Sequence, residues 1–349
     1  MNHPFLKESI HMVRSAIDTY LSGEARTLLS LEPWGPDLRN RLHEYALRGK
    51  LVRGALVPFT WRVLRPEEAP PEQAAQGGVV MEMLQSFLLI HDDIMDQDDT
   101  RRGGPAMHKQ FELLLQNSGK EQFGRSMGIC AGDVAAFLAL ERISSMTVDP
   151  KIRSDLTALV ASEIITTGLA QMQDVHHGYV ENAAEEAIMQ VYTYKTGRYT
   201  FSLPLVFGAH LAEAPPETVE LLSSLGEHLG RIFQIRDDQL GVFGESDRIG
   251  KPAGSDIRED KKTIFREVLF RSLPEDDPVR MYFGTDRLGS GELEAVREAI
   301  KRTGVMEYVN ELVAAEQRSA QAILEHLELP HSGEEALREL LAYNEARTR

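Results

Sequence analysis

The feature that most constrains the fold of this chain is an apolar pattern of helical period that runs into a cluster of acids. Side chains of the pattern recur at spacings of three and four, as they do along one face of an α-helix: Val80, Met83, Leu84, Phe87, Leu88, His91, Ile94 and Met95. Its most apolar part, Val79 to Ile90, contains Glu82 and Gln85 and is too short to span a bilayer. The pattern therefore predicts a helix buried in a protein core.

Helical periodicity dominates the rest of the chain as well. Further one-sided stripes run from Leu156 to Leu169 and from Leu221 to Leu240, and no run of alternating strand residues competes with them. The breaks fall at Pro, Gly and Asp clusters such as Arg65 to Pro71. No low-complexity linker and no fixed repeat divides the chain. We therefore predict an all-α fold with a single domain over residues 1–349.

Charge and cysteine content restrict the partners and the compartment. Against 54 Asp and Glu there are 38 Lys and Arg, so the net charge of -16 disfavours binding of nucleic acid through its phosphates. Cys130 is the only cysteine, which excludes an intramolecular disulfide and a cysteine-based zinc site. Met1 to Ser15 contains no apolar run of the signal-peptide type. We expect a cytoplasmic protein without a transmembrane segment.

The strongest chemical signal is the acidic cluster that ends the first helix, His91 to Pro105. If the helix continues through Asp96, Asp92 and Asp96 lie one turn apart on one face and can share hard divalent cations. Carboxylate ligands of this kind suit Mg²⁺, which completes its shell with water and phosphate oxygens. Arg101 and Arg102 follow, where they can grip those phosphates. A solvated helix end would look similar, but these acids terminate a helix whose sides must be buried.

A second acidic pair, Asp237-Asp238, also ends an apolar helix. Taken alone, the pair is as typical of an ordinary polar helix end as of a metal site. The glycine-rich stretch 250–256 follows with Lys251, and Lys261 comes soon after, so anion-binding groups stand next to the acids in sequence. Together these segments suggest a second half of a diphosphate site.

Two basic turns are weaker signals. Gly49 to Gly54 places Lys50 and Arg53 three apart, and Tyr194 to Arg198 contains Lys195. Either turn by itself is more often a solvated surface than a binding site. They indicate a binding site only in combination with the other motifs.

In this order, the motifs resemble those of the trans-type polyprenyl diphosphate synthases. The resemblance covers Gly49 to Thr263 and consists of the basic turn, DDxxD followed by RRG, KT, FQ..DD and GK…D…K. It implies a helical bundle around a central cavity, of the isoprenoid synthase type. It also implies Mg²⁺-dependent joining of isopentenyl diphosphate to an allylic diphosphate (dimethylallyl, geranyl or farnesyl), with release of diphosphate.

The resemblance assigns roles to particular residues. The implied ligands of three Mg²⁺ ions are Asp92, Asp96, Asp237 and Asp238. The implied contacts of the allylic diphosphate are Arg101, Lys195, Lys251 and Lys261, and those of isopentenyl diphosphate are Lys50, Arg53, Gln85 and Arg102. Thr196 and Gln234 are implied to face the developing allylic cation, and Gln171 and Asp174 match a further element beside the metals.

The chemistry implied by the resemblance is consistent with these residue types. A departing diphosphate gains negative charge, which metals and cations stabilise. The double bond of isopentenyl diphosphate then attacks the allylic cation, and a proton is lost. No side-chain nucleophile is needed, so we count Lys195, Thr196, Gln234, Asp92 and Asp96 as the catalytic set.

Two positions depart from the usual family pattern, and two others bear on product length. Gly241 stands where many members have a third aspartate, and Gln85 stands where many bacterial members have histidine. Phe87 and Leu88 lie five and four residues before Asp92, hence about one turn deeper on the same helix. A single aromatic at this place resembles synthases that make the twenty-carbon geranylgeranyl product.

Two alternatives remain open at this point. A class I terpene cyclase also ionises a prenyl diphosphate with an acidic metal motif, but it has no use for a second diphosphate or for Lys50 and Arg53. A non-catalytic subunit of a heteromeric synthase would be compatible with Gly241. Family resemblance also suggests a homodimer.

Overall fold

The structure, a computed structural model, describes residues 3–22, 30–116, 118–244, 254–285 and 288–345. Most of these residues are helical, and the sheet among them consists only of β1, Thr100–Arg101, paired antiparallel with β2, Gly104–Pro105. The prediction of an all-α fold is confirmed. Lys251, one of the predicted substrate contacts, lies outside the described residues.

The described residues form a series of helices. In chain order they are α1 Pro4–Ser22, α2 Trp34–Leu47, α3 Val52–Leu64, α4 Glu72–Met95, α5 Met107–Glu112, α6 Lys120–Ser144, α7 Pro150–His177, α8 Glu185–Val191, a π-helical segment Tyr192–Ser202, α9 Leu203–Leu211, α10 Pro216–Phe243, α11 Ser255–Arg258, α12 Ile264–Ser272, a 3₁₀ turn Pro278–Tyr282, α13 Ser290–Arg302, α14 Val305–His326 and α15 His331–Glu345.

The chain forms two compact units, each built from segments that are distant in sequence. Unit 1 contains Met1–Leu159, Pro204–Pro215 and Leu329–Ala336. Unit 2 contains Val160–Leu203, Pro216–Glu328 and Leu337–Arg349. The expectation that all of this is one domain stays a prediction.

In unit 1, α4 is the central helix and packs against α3 on one side and α6 on another. Glycines permit this close packing. A Cβ on Gly54 of α3 would lie 2.8 Å from the carbonyl oxygen of Gly78 in α4, so the two backbones are nearly in contact. The predicted core helix is thus surrounded by protein over most of its length, and its first turn and its last turns approach the surface.

In unit 2, α10 packs against the π-helical segment Tyr192–Ser202 and against α14. The leucine stripe predicted from the sequence forms the buried face of α10, including Leu222, Leu225 and Leu229. A Cβ on Gly230 would lie 1.9 Å from the Cα of Gly197, so α10 meets the π-helical segment backbone to backbone. This contact holds Lys195 and Thr196, which precede Gly197, close to α10.

By length and composition, α6 is apolar enough to cross a membrane, and 39% of its most apolar window is buried. Core helices of proteins that do not enter membranes pass the same test. Helix α6 carries Arg125, Asp133 and Glu141 along its length and packs one face against α4 and α5. Its apolar character is accounted for in part by this packing.

Candidate active site

The first acidic motif lies at the open end of α4. The helix ends at Met95, and the N–H of Asp96 still donates to the carbonyl oxygen of Asp92 at 2.8 Å. Asp92 and Asp96 therefore stand one turn apart on one face, as the spacing predicted. Asp92 is half-buried and Asp96 is exposed, so both carboxylates lie where a ligand can approach.

The middle acid of this motif, Asp93, points into the core instead. It is fully buried, and Arg101 donates to it through Nε at 2.5 Å while also donating to Asp98 at 2.9 Å. The hydroxyl of Tyr45 donates to the other oxygen of Asp93 at 3.2 Å. Burial raises the pKa of the Asp93 carboxyl to about 6, although Arg101 opposes the shift. Asp93 thus orients the side chain of Arg101, one of the predicted diphosphate contacts.

Sequence reasoning missed this role of Asp93 and Tyr45. Adjacent residues of a helix differ by about 100° in direction, so a residue next to an open Asp92 had to face somewhere else. That signal was present in the sequence. Which neighbours Asp93 would meet depended on Tyr45, which comes from a helix 48 residues earlier.

The basic turn and the RRG segment come together in unit 1. The guanidinium of Arg102 lies over Gly49, where a Cβ would be 2.4 Å from its Nη1, and it donates to the carbonyl oxygen of Tyr45 at 3.2 Å. Lys50 is exposed just after Gly49, and Arg53 is half-buried in the first turn of α3. Three predicted contacts of one diphosphate are therefore neighbours in the fold.

A buried acid lies beneath this basic cluster. Glu82 of α4 is 2% exposed and accepts a hydrogen bond from the N–H of Gly54 at 2.8 Å. Burial raises the pKa of Glu82, while the positive charges of Arg102 and Arg53 oppose the shift. Gln85, one turn farther along α4, is also buried. Glu82 was not among the residues singled out from the sequence, because its significance depends on the close approach of α3.

In unit 2, a chain of hydrogen bonds connects the KT motif to the second acidic pair. Thr196 donates through Oγ1 to Gln234 Oε1 at 2.8 Å, and Gln234 Nε2 donates to Asp238 Oδ1 at 2.9 Å. The hydroxyl of Tyr192 donates to the other oxygen of Asp238. Burial raises the pKa of Asp238 well above its usual range, and the charge of Asp256 adds to the shift. Asp237, by contrast, is exposed.

The remaining cations of unit 2 have well-defined neighbours. Lys195 donates through Nζ to Asp174 Oδ2 at 2.6 Å, which joins two predicted site residues. Arg198 forms ion pairs with Glu163 and Glu227, an arrangement that ties α7, α10 and the π-helical segment together. The two cations therefore differ in role. Lys195 lies beside a predicted site residue, whereas Arg198 has a structural role.

The glycine at position 241 has a structural explanation. A Cβ at Gly241 would lie 2.1 Å from Oδ2 of Asp256, so the carboxylate of Asp256 fills the space that any side chain would need. The backbone of Gly254 also donates to the carbonyl oxygen of Gly241 at 3.2 Å. Lys261 and Asp256 line one small pocket in this region, and Lys261 pairs with Glu259 at 3.3 Å. Helix α10 thus has no aspartate at position 241, and the carboxylate of Asp256, from the segment after α10, lies there instead.

The two acidic motifs supply a donor set that suits Mg²⁺. Within the described residues, no three His, Cys, Asp or Glu side chains converge closely enough to enclose a metal by themselves. The groups exposed at the two acidic motifs are carboxylate oxygens, which are the ligands that Mg²⁺ prefers. Mg²⁺ also commonly retains water and takes phosphate oxygens, so open carboxylates at a helix end fit this ion.

The fold and the ordered motifs define a trans-prenyltransferase. A solved structure of geranylgeranyl pyrophosphate synthase from Corynebacterium glutamicum, complexed with isoprenyl diphosphate and magnesium, superposes with a TM-score of 0.89 at 27% identity and covers 98% of this chain and 99% of its own. The chain belongs to the Polyprenyl synthetase family, whose pattern it matches over residues 36–300.

Relatives of the chain are named as prenyl diphosphate synthases with different products. A short chain isoprenyl diphosphate synthase of Methanothermobacter thermautotrophicus is 31% identical, with 83% of this chain and 84% of the relative covered. A geranylgeranyl diphosphate synthase of Saccharolobus solfataricus is also 31% identical, with 95% and 93% covered. Relatives named geranylfarnesyl and farnesyl diphosphate synthase match at 32% and 31%. The product length therefore does not follow from similarity.

Proposed function

We propose that this enzyme condenses isopentenyl diphosphate with an allylic diphosphate in a Mg²⁺-dependent reaction and releases diphosphate. The observation that carries the proposal is the end of α4, where Asp92 and Asp96 face outward one turn apart while buried Asp93 directs Arg101. The similar C. glutamicum enzyme, solved with isoprenyl diphosphate and magnesium, supports it. We propose a short-chain trans-prenyl diphosphate, geranylgeranyl diphosphate, as the product.

The metal ligands in this proposal are Asp92, Asp96, Asp237 and Asp238, with three Mg²⁺ ions per active site. Bound Mg²⁺ supplies Lewis acidity that stabilises the charge of the departing diphosphate. Of the second pair, we favour Asp237 as the direct ligand. Both oxygens of Asp238 already accept hydrogen bonds, from Tyr192 and Gln234.

Each substrate has its own set of contacts in the proposal. Isopentenyl diphosphate binds at Lys50, Arg53, Gln85 and Arg102, and the allylic diphosphate at Arg101, Lys195, Lys251 and Lys261. The clustering of Arg102 with the turn before α3 supports the first set. The carbon–oxygen bond of the allylic substrate breaks with its electron pair leaving on diphosphate. The isopentenyl double bond then forms the new carbon–carbon bond, and loss of a proton regenerates an alkene.

The polar side chains of the KT and FQ motifs face the reacting carbon in this scheme. Thr196 and Gln234 are already joined by a hydrogen bond of 2.8 Å, which orients the amide and hydroxyl dipoles. Oriented dipoles stabilise a cation without capturing it, because neither group is a strong nucleophile. Lys195, held by Asp174, completes this part of the catalytic set.

We also propose that the enzyme is a cytoplasmic homodimer that binds no nucleic acid and has no transmembrane segment. The net charge of -16 disfavours nucleic acid. Large apolar side chains are exposed on α6, at Ile129 and Phe137, and on α7, at Ile165, Leu169 and Met172. Exposed apolar faces of this kind are typical of protein interfaces.

The deciding assay supplies the purified protein with Mg²⁺, isopentenyl diphosphate and farnesyl diphosphate. We expect consumption of both substrates and a twenty-carbon prenyl diphosphate, and we expect D92N to abolish it while D149N, an exposed acid elsewhere, does not. Release of hydrocarbon without use of isopentenyl diphosphate would identify a cyclase. No prenyl product from the folded protein would identify a non-catalytic subunit.

A further inference from the structure

We propose that His91, seated in a notch of α6 at Gly132, holds the ring of Phe87 in position and thereby helps to set product length. The inference rests on the proposed function, in which Phe87 lies below the first acidic motif. It adds two positioning residues, His91 and Gly132, that act through Phe87.

The rings of Phe87 and His91 are in contact. Phe87 and His91 are four residues apart on α4 and so share one face of the helix. Their ring centroids are 4.9 Å apart with planes at 75°, an edge-to-face pair. Phe87 is half-buried, so protein does not enclose its ring on all sides. The imidazole is therefore one of the groups that determine where the ring rests.

The side chain of His91 is anchored to α6. Its Nε2 lies 3.1 Å from the carbonyl oxygen of Ile129 and 3.6 Å from Oδ1 of Asp133. A carbonyl oxygen only accepts hydrogen bonds, so Nε2 carries the proton and donates. The imidazole plane is thus tied to the backbone of a second helix. Because the imidazole contacts the ring of Phe87, its fixed position also limits where the Phe87 ring can lie.

A notch in α6 at Gly132 admits the imidazole of His91. A Cβ at Gly132 would lie 2.3 Å from Nε2 and 2.4 Å from Cδ2 of His91. Real carbon atoms do not approach so closely, so even alanine at this position would displace the imidazole. Helix α6 can hold His91 only because residue 132 has no side chain.

The contacts of His91 link α6 to Phe87, which in the proposed function limits the length of the prenyl product. Phe87 lies five residues before Asp92, about 7.5 Å deeper along α4 at the rise of an α-helix. In the proposed function, a prenyl chain that grows along α4 from the diphosphate end passes this ring. A ring held by His91 and α6 resists displacement, whereas a released ring can turn aside.

The test compares two identical substitutions one turn apart on α6. In G132A the new methyl group displaces His91, and we expect about a fivefold rise in the ratio of 25-carbon to 20-carbon product, the scale of one lost aromatic pair. In G128A the methyl group meets Ile94 and His108 at 2.8 and 3.0 Å, so the packing of α6 is also disturbed, but at these two residues and not at His91. We expect the G128A product ratio to match wild type.

Two further variants separate this inference from the proposed function. H91A should shift the ratio as G132A does, and H91A combined with F87A should shift it no further than F87A alone. Unchanged ratios in H91A and G132A, with F87A still shifted, would overturn the role of His91 and leave the proposed function intact. Absence of prenyl product from wild type would overturn the proposed function itself.

An activity-independent measurement covers variants that are folded but slow. In protein labelled with ¹³C-phenylalanine, the Phe87 ring signals, assigned by their loss in F87A, should move in G132A and stay in place in G128A. Unmoved Phe87 signals in G132A would refute the coupling even without turnover.

Discussion

Neighbouring aspartates of one motif perform different tasks because a helix turns about 100° per residue. Asp92 faces outward with Asp96, while Asp93 faces the core and holds Arg101. A change at Asp93 should therefore affect stability in a way that a change at Asp92 does not.

We expect D93A to lower the free energy of unfolding by roughly 3 kcal/mol, because it removes one partner of a buried ion pair and leaves Tyr45 without its acceptor. D92A should lower the stability by less than D93A does, because Asp92 is only half-buried whereas Asp93 is fully buried. Urea denaturation of the metal-free proteins measures both. Equal losses in the two variants would contradict the distinction.

Gly241 provides a second prediction at the scale of single residues. Restoring the aspartate that many family members have there, G241D, should reduce stability by roughly 2 kcal/mol and not increase activity, because the new side chain enters the space of Asp256. The double variant G241D/D256A should recover part of the loss. Thermal unfolding and turnover rates measure these effects, and a fully stable, more active G241D would refute the explanation.

At the scale of helices, glycines decide how closely elements approach. Gly54 and Gly78 bring α3 onto α4, so that buried Glu82 reaches the N–H of Gly54 under the basic turn. In unit 2, Gly197 and Gly230 bring the π-helical segment onto α10. Segments of π-helix frequently occur at functional sites, and this one carries Lys195 and Thr196.

The junction of α10 with α14 is held by a polar cluster. Glu316 of α14 lies 2.6 Å from His228 Nδ1 and accepts from Arg231 Nε at 2.7 Å. Burial acts to raise the pKa of Glu316, but His228 and Arg231 outweigh it, and the pKa is lowered. A carboxyl whose pKa is lower in the folded state stabilises the fold above its unfolded pKa, and this stabilisation is lost as pH falls through the folded pKa.

We therefore expect E316Q to lower the free energy of unfolding at pH 7 by roughly 2 kcal/mol, the scale of hydrogen bonds to a charged group. The difference between wild type and E316Q should shrink as pH falls below about 4.3, the unfolded pKa of glutamate. Denaturation at several pH values measures it. E311Q is the matched control, because Glu311 pairs with Arg318 on the same helix but is exposed, and it should show little change.

At the scale of the whole molecule, the exposed apolar faces predict self-association. We expect a mass of twice 39.1 kDa in solution and dissociation toward the monomer in F137E, since a charge on an apolar interface is costly to bury. Light scattering after size exclusion measures both. M281E, at an equally exposed apolar residue on the 3₁₀ turn, should leave the dimer intact. A monomeric wild type would contradict the proposal.

The sequence by itself determined the helical class and the order of the motifs, because helical period and the spacing of Asp92 and Asp96 are local properties read along one helix. Only the tertiary structure decided what lies between helices: Asp93 meeting Tyr45, Asp256 occupying the space at Gly241, and His91 entering the notch at Gly132. These contacts join residues that are far apart in the chain. Their existence depends on how closely whole helices pack, a property that local spacing does not encode.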